Sequence, residues 1–451
     1  MYVAVLFVVN IVFMSRFLPV IWWIFGIVEV IGFFYFSNKL TKKWADFKEK
    51  TFEKKVFRTS LIIRLIWVMF SYVFYNYMTG EPYEFHAADV YTYQAAASGL
   101  AKQGFDSYES VFWGMDVSDR GYATYLGVLY MVFGNGLIIP RVIKAVLGSI
   151  SAILIYRLAS RNFGDNVGRI SAIFYMLMPN LIYYTGSHLK EAEMVFIVVA
   201  FLERSDYLLR TKKYNVFNIA LPLVLAGILF FFRTVLGATA LFALITTLMV
   251  SSDKLLGMGK RMMLIVWVLL AMAYFAGGKI STEIEAIWAA RSENQSSSME
   301  WRAERKGGNK FAKYAGASVF APMIFALPFP TIVNTPDQEN QQLLHGGNYV
   351  KNMMAFFVIF SIIMVFKQKK WRDHVLILVF TIGYLGVIAM SAFAQSERFH
   401  QPIMPLLMVL AAYGVSLVTN KTKKYFSWYT IFLFVVIVGW SWFKLAGRGM
   451  V

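Results

Sequence analysis

The chain of 451 residues has no cysteine, which excludes disulfide staples and thiolate metal sites. It is also poor in charge. Asp, Glu, Lys and Arg make up 16% of it, where a soluble domain carries about 25%. Acids are the scarcer sign, 26 against 44 basic residues, for a net charge of +18. No internal repeat and no low-complexity tail is present. What fills the chain instead is apolar: 58% of residues are hydrophobic and 17% aromatic. They come in blocks such as "LFALITTLMV" (241–250) and "FFVIFSIIMVF" (356–366). A bilayer core about 30 Å thick takes about 20 such residues as a helix. The blocks therefore predict an all-α polytopic membrane protein.

Candidate spans are 2–14, 18–37, 57–78, 142–160, 168–185, 189–208, 215–232, 234–251, 261–277, 349–366, 374–392, 402–419 and 427–444. The first is short and is followed by Arg16, so 1–37 reads as one or two elements and the total as 12–13 transmembrane helices. Tyr2–Met14 is similar to a signal-peptide core but lacks a basic segment before it, and is read as a retained span. The excess positive charge does not point to nucleic acid. It falls in short clusters between apolar blocks, "KKWADFKEKTFEKK", "RTKK", "KQKKWR" and "NKTKK", the pattern of cytoplasmic loops. If Gly121–Ile139 crossed the membrane, these clusters would fall on opposite sides. It is therefore placed along, or dipping into, the outer face, as an amphipathic or re-entrant helix. Two large outer loops result, 79–139 and 278–349. The second holds Arg302, Arg305 and Lys306 and a proline-broken run with Pro322, Pro328, Pro330 and Pro336. The expected organisation is an N-terminal part, 1–56, with one or two extra spans and a basic loop, and a main transmembrane domain, 57–451.

Polar residues gather on the side opposite the basic clusters. The first outer loop carries Glu81, Glu84, His86, Asp89, Asp106, Glu109, Asp116 and Asp119, with Tyr93 four residues after Asp89. The turn "GSHLKEAE" (186–193) brings Lys190 and Glu191, "FFFRTV" brings Arg233, "LLHGGNYVKN" brings His345, and "AQSERFHQP" brings Arg398 and His400. Each has a plainer explanation. Asp89 suits the start of a helix, and so do Lys190, Glu191 and Glu193 at an interface. A cation such as Arg233 costs about 2.5–3.5 kcal/mol at a bilayer centre, and much less if it snorkels. Arg64, near the cytoplasmic end of its run, is read as snorkelling. His345, Gly346 and Gly347 read as a turn, or as a place where backbone amides approach an anion. Glu29 stands isolated in "GIVEVIG".

One carboxylate with several cations at the outer end of a membrane protein suits chemistry on a lipid whose phosphate lies at headgroup level. The acid takes a proton from an attacking hydroxyl, and the cations stabilise charge on the departing phosphate, arginine best of all. Sugar transfer from a polyprenyl phosphate or diphosphate needs this arrangement. Three segments go further: "ADVYTYQAAASGLAKQG"; then "YLGVLYMVFG", "IPRVIKAVLGSISAILIYRLASRNFG" and "MLMPNLIYYTGSHLKEAEMVF"; and "SERFHQPIMPLLMVLAAYG". In this order the chain resembles the membrane glycosyltransferases of the GT-C superfamily, especially the protein O-mannosyltransferase and aminoarabinose-transferase branch. It departs from them where valine, not a second acid, follows Asp89, and in the extra span or spans before the first outer loop.

The resemblance implies a GT-C fold, a lipid-linked sugar donor and transfer on the periplasmic or lumenal face, with Asp89 as catalytic base. Lys190, Arg233 and Arg398 are the candidates for the donor phosphate. Glu84, His86, Tyr93, Asp119, Glu191, His345 and His400 are candidates for lining the site. No cofactor is expected to be required; Glu84, His86 and Asp89 are the residues that could serve a divalent ion. The expected partners are a polyprenyl-phosphate-linked sugar, a lipid, glycan or protein acceptor, and membrane lipids, with no nucleic acid. The expected location is a bacterial inner membrane, active site outward. Two other functions compete. One is an O-antigen or capsule polymerase, favoured by the outer arginines of "SMEWRAERKGG" and "SERFH". The other is a lipid or solute transporter or flippase, which lacks the internal repeats such proteins often show.

Overall fold

The structure, a computed structural model, describes residues 1–86, 88–211, 215–251, 308–311, 320–391 and 393–451, with short stretches between 257 and 304. All regular structure among the described residues is helical. Helices α1 (Tyr2–Val12), α2 (Val20–Lys43) and α3 (Glu49–Thr79) lead into α4 (Ala88–Gln103), the one-turn α5 (Tyr108–Val111) and α6 (Val117–Phe133). Then come α7 (Ile138–Phe163), α8 (Asp165–Leu177), α9 (Pro179–Gly186), α10 (Glu191–Thr211), α11 (Val216–Phe232) and α12 (Thr234–Val250). The C-terminal part holds α13 (Glu339–Leu343), α14 (His345–Lys367), α15 (Val375–Ala389), α16 (Glu397–His400), α17 (Met404–Ser416) and α18 (Asn420–Ala446).

Among the described residues, α2, α3, α7, α14, α18 and the continuous segment Glu397–Ser416 are long and apolar enough to cross a membrane. Four shorter apolar helices, α1, α11, α12 and α15, accompany them. The chain is an integral membrane protein of helical bundle type. Each expected span other than 261–277 meets a described helix or helix pair; that one falls largely outside the described residues, as do Arg302, Arg305 and Lys306. Helix ends differ from the expected bounds by up to eight residues, and two of these differences bear on the organisation. The helix expected at 57–78 begins eight residues earlier, inside the basic segment, so the division at 56/57 falls within α3. The run 168–185 is two helices, because Met178 is extended and Pro179 starts α9; a residue before proline is pushed out of the helical region.

Helix α7 packs against α3, α8 and α10, and α14 lies between α2 and α17. The pair α4 and α6 pack on each other, and α6 also lies on α11, so the segment after α3 folds back as a cap over one end of the bundle. Gly121 makes this approach close: a Cβ there would lie 2.6 Å from the Phe231 carbonyl oxygen.

Two polar residues in apolar runs find their reason here. Arg64 does not snorkel. It is fully buried, donating from Nη1 to Ser60 Oγ at 2.6 Å, with its guanidinium 5.4 Å from the Tyr175 ring. Gly148 leaves room for it. Glu29 accepts the Gly347 backbone N–H at 2.8 Å, so the anion served by the two glycines is this chain's own carboxylate, capping α14 at its positive end.

Candidate functional site

Asp89 is the second residue of α4, in the first helical turn. Its carboxylate, 55% exposed, accepts a hydrogen bond from Arg398 Nη1 at 2.6 Å, and Arg398 Nε donates to Glu191 Oε1 at 3.0 Å. Glu191 opens α10 and is fully buried. The same Glu191 oxygen lies 4.0 Å from Arg233 Nη2. Arg233 is extended between α11 and α12, which turns its side chain out of both helices. Its guanidinium sits 4.0 Å from the Phe399 ring centre and donates to the Tyr384 hydroxyl at 3.4 Å. Residues 89, 191, 233 and 398 thus form one chain of charge at one end of the bundle.

Lys190 stands next to it with every N–H committed. Its ammonium donates to Ser118 O (2.8 Å), Asp119 Oδ1 (2.5 Å) and Phe232 O (2.7 Å), and an ammonium has three donors. The Tyr93 hydroxyl donates to the same Asp119 oxygen at 2.7 Å. Burial alone would raise the Asp119 carboxyl, but the Lys190 ammonium and the two hydrogen bonds hold it below the usual range. Burial lowers the Lys190 ammonium, against the pull of Asp119. Tyr93 lies one helical turn after Asp89, so this network also fixes the face of α4 that carries Asp89.

The other expected lining residues separate. Glu84 is buried and accepts the His188 backbone N–H at 3.3 Å. His86, at φ 53°, meets Glu339 at 2.8 Å and joins the segment before α4 to α13. His345 is held by the Tyr2 hydroxyl and the Trp22 carbonyl, each at 2.9 Å, where α14 meets α1 and α2. His400 is buried, 2.9 Å from Lys351 Nζ. Among the described residues no three His, Asp or Glu side chains come together as a metal site; Glu84, His86 and Asp89 point to different partners.

Sequence reasoning missed Arg141 and Lys144. Both are fully buried in α7. Arg141 donates to Pro82 O at 2.5 Å, and Lys144 to Tyr122 Oη, Ser187 O and Leu189 O at 2.9, 3.0 and 2.5 Å. They tie the cap and the 187–189 turn to the bundle. Two cations inside "IIPRVIKAV" carried the same signal that singled out Arg233. In that turn His188 lies 3.1 Å from both Gln94 Oε1 and Tyr130 Oη; burial, then Lys144 and Arg141, hold its imidazole well below the usual range.

No family model and no curated protein matches the chain. Among solved structures it is similar to the archaeal oligosaccharyltransferase AglB from Archaeoglobus fulgidus in complex with an inhibitory peptide and a dolichol-phosphate. The identity is 13% and the TM-score 0.47, over 88% of this chain and 55% of that one. The Archaeoglobus fulgidus oligosaccharyltransferase tethered to an acceptor peptide gives 14% and 0.46, over 90% and 55%. Its apo form gives 12% and 0.43, over 87% and 55%. The chain spans about half the length of these proteins.

Proposed function

We propose that this chain is a GT-C-type integral-membrane glycosyltransferase that moves a sugar from a polyprenyl-phosphate-type lipid to an acceptor hydroxyl at the outer face. The observation that carries the reading is the contact between Asp89 and Arg398, which joins an exposed carboxylate to a pair of guanidiniums gathered around Glu191. Arg398 and Arg233 hold the phosphate of the lipid. Lys190, with its N–H groups committed, braces the cap beside them. An arriving phosphate competes with Asp89 for Arg398, and the exchange frees the carboxylate. Asp89 then accepts the proton of the acceptor hydroxyl as its oxygen bonds to the anomeric carbon. The bond from that carbon to the phosphate oxygen breaks, its electron pair stays on the phosphate, and the arginines stabilise the charge.

In membranes supplied with a labelled polyprenyl-linked sugar, Asp89→Asn is expected to lower transfer by about 10²-fold or more. Full activity in a folded Asp89→Asn protein would remove the base from this scheme.

A further inference from the structure

We propose that Glu191 is the positioning residue of this site, setting the spacing of the two arginines that receive the lipid phosphate. The inference rests on the function proposed above. Arg233 comes from the break between α11 and α12, and Arg398 from α16, 165 positions later in the sequence. The Phe399 ring against Arg233, and the Tyr384 hydroxyl that accepts from Arg233 and donates to the Phe399 carbonyl, bring the two segments together. Among the described residues the charged group that meets both guanidiniums is one carboxylate oxygen of Glu191, 3.0 Å from Arg398 Nε and 4.0 Å from Arg233 Nη2. Glu191 is itself 0% exposed, and α10, which it opens, packs on α7, α11 and the turn at Gln401–Ile403, so the oxygen has a fixed place. Two guanidiniums brought together repel, and a buried charge needs a partner. Glu191 meets both needs. Its bond to Arg398 Nε also orients the fork, so that Nη1 faces Asp89 at 2.6 Å. The groups that touch Arg233 besides Glu191, the Tyr384 hydroxyl and the Phe399 ring, carry no charge, and the nearby Asp119 carboxylate is bonded to Lys190.

The two ways Glu191 can act predict opposite signs. If it were only a negative charge near a phosphate site, neutralising it would tighten phosphate binding. If it positions the arginines, neutralising it lets them separate and weakens binding. The experiment measures the affinity of the full-length protein, in detergent micelles, for polyprenyl monophosphate. Glu191→Gln, with its folding checked by thermal melting, is expected to bind about tenfold more weakly, the worth of a charge-assisted hydrogen bond. Glu191→Asp keeps the charge but withdraws it by one methylene, and is expected to fall between Glu191→Gln and the wild type; it supplies the reading if Glu191→Gln does not fold. Either variant binding as tightly as the wild type, or more tightly, overturns the positioning role and leaves the proposed function standing. A wild-type protein that does not bind polyprenyl monophosphate overturns both.

Discussion

Replacing Lys190 by methionine tests whether the cap is braced as described. The side chain keeps its length and loses its charge and all three bonds, to Ser118 O, Asp119 Oδ1 and Phe232 O. Lys190 is 5% exposed and Asp119 33%. Breaking a buried pair costs about 3–5 kcal/mol because a charge is left alone. Asp119 is partly open to water, so the expected loss is smaller, about 2–4 kcal/mol. Equilibrium unfolding of the purified protein in mixed micelles, followed by tryptophan fluorescence, reads this directly. The double variant Lys190→Met, Asp119→Asn leaves no orphaned carboxylate, while the amide oxygen introduced at position 119 still accepts from the Tyr93 hydroxyl. It is expected to recover about 1–2 kcal/mol of the loss. A single-variant loss below about 0.5 kcal/mol, or a double variant that costs the sum of the two singles, would show that this pair does not brace the cap.

Two further outcomes follow from other parts of the structure. His188 is buried with a lowered pKa; below about pH 6.5 the unfolded chain binds a proton that the folded one does not. Stability is therefore expected to fall as pH drops through that value, by at most about 1.4 kcal/mol per unit from this group. His374, lowered to about 4 by burial first and Arg210 next, adds to the same slope. His188→Gln is expected to make the slope shallower, and an unchanged slope in urea titrations between about pH 6.5 and 5 would contradict the assignment. Gly346→Ala would put a Cβ 2.5 Å from Glu29 Oε2 and 2.6 Å from the Gly26 carbonyl oxygen. It is expected to cost about 1–3 kcal/mol by forcing α2 and α14 apart, measured by the same unfolding assay; a neutral result would mean that the helices have slack there.

The helices were legible because lipid and backbone allow so little else: an apolar run of sufficient length must close its hydrogen bonds within itself. The placing of Gly121–Ile139 rested on charge alone; in the fold its helix, α6, packs on α4 and α11 as part of a cap. The break at Pro179 was also written in the sequence, though hydropathy runs straight through it. Partnerships were not legible. Glu29 and Gly347 are 318 positions apart, and Asp89 and Arg398 are 309 apart; no local pattern reports such pairs. Arg64 shows the limit of a depth argument, since nearness to a helix end says nothing about whether a neighbouring glycine opens a buried berth. For Asp89, a place in the first helical turn and a contact with a distant arginine occur together. The first-turn position places the carboxylate, and Arg398 holds it.

In the proposed reaction a lipid phosphate lies against Arg233 and Arg398, with Asp89 facing the reacting carbon. A structure of the protein with a bound polyprenyl phosphate tests it most directly. Phosphate oxygens are expected within hydrogen-bond distance of both guanidiniums, with the contact between Asp89 and Arg398 opened. A phosphate bound elsewhere, with that contact intact, would contradict it.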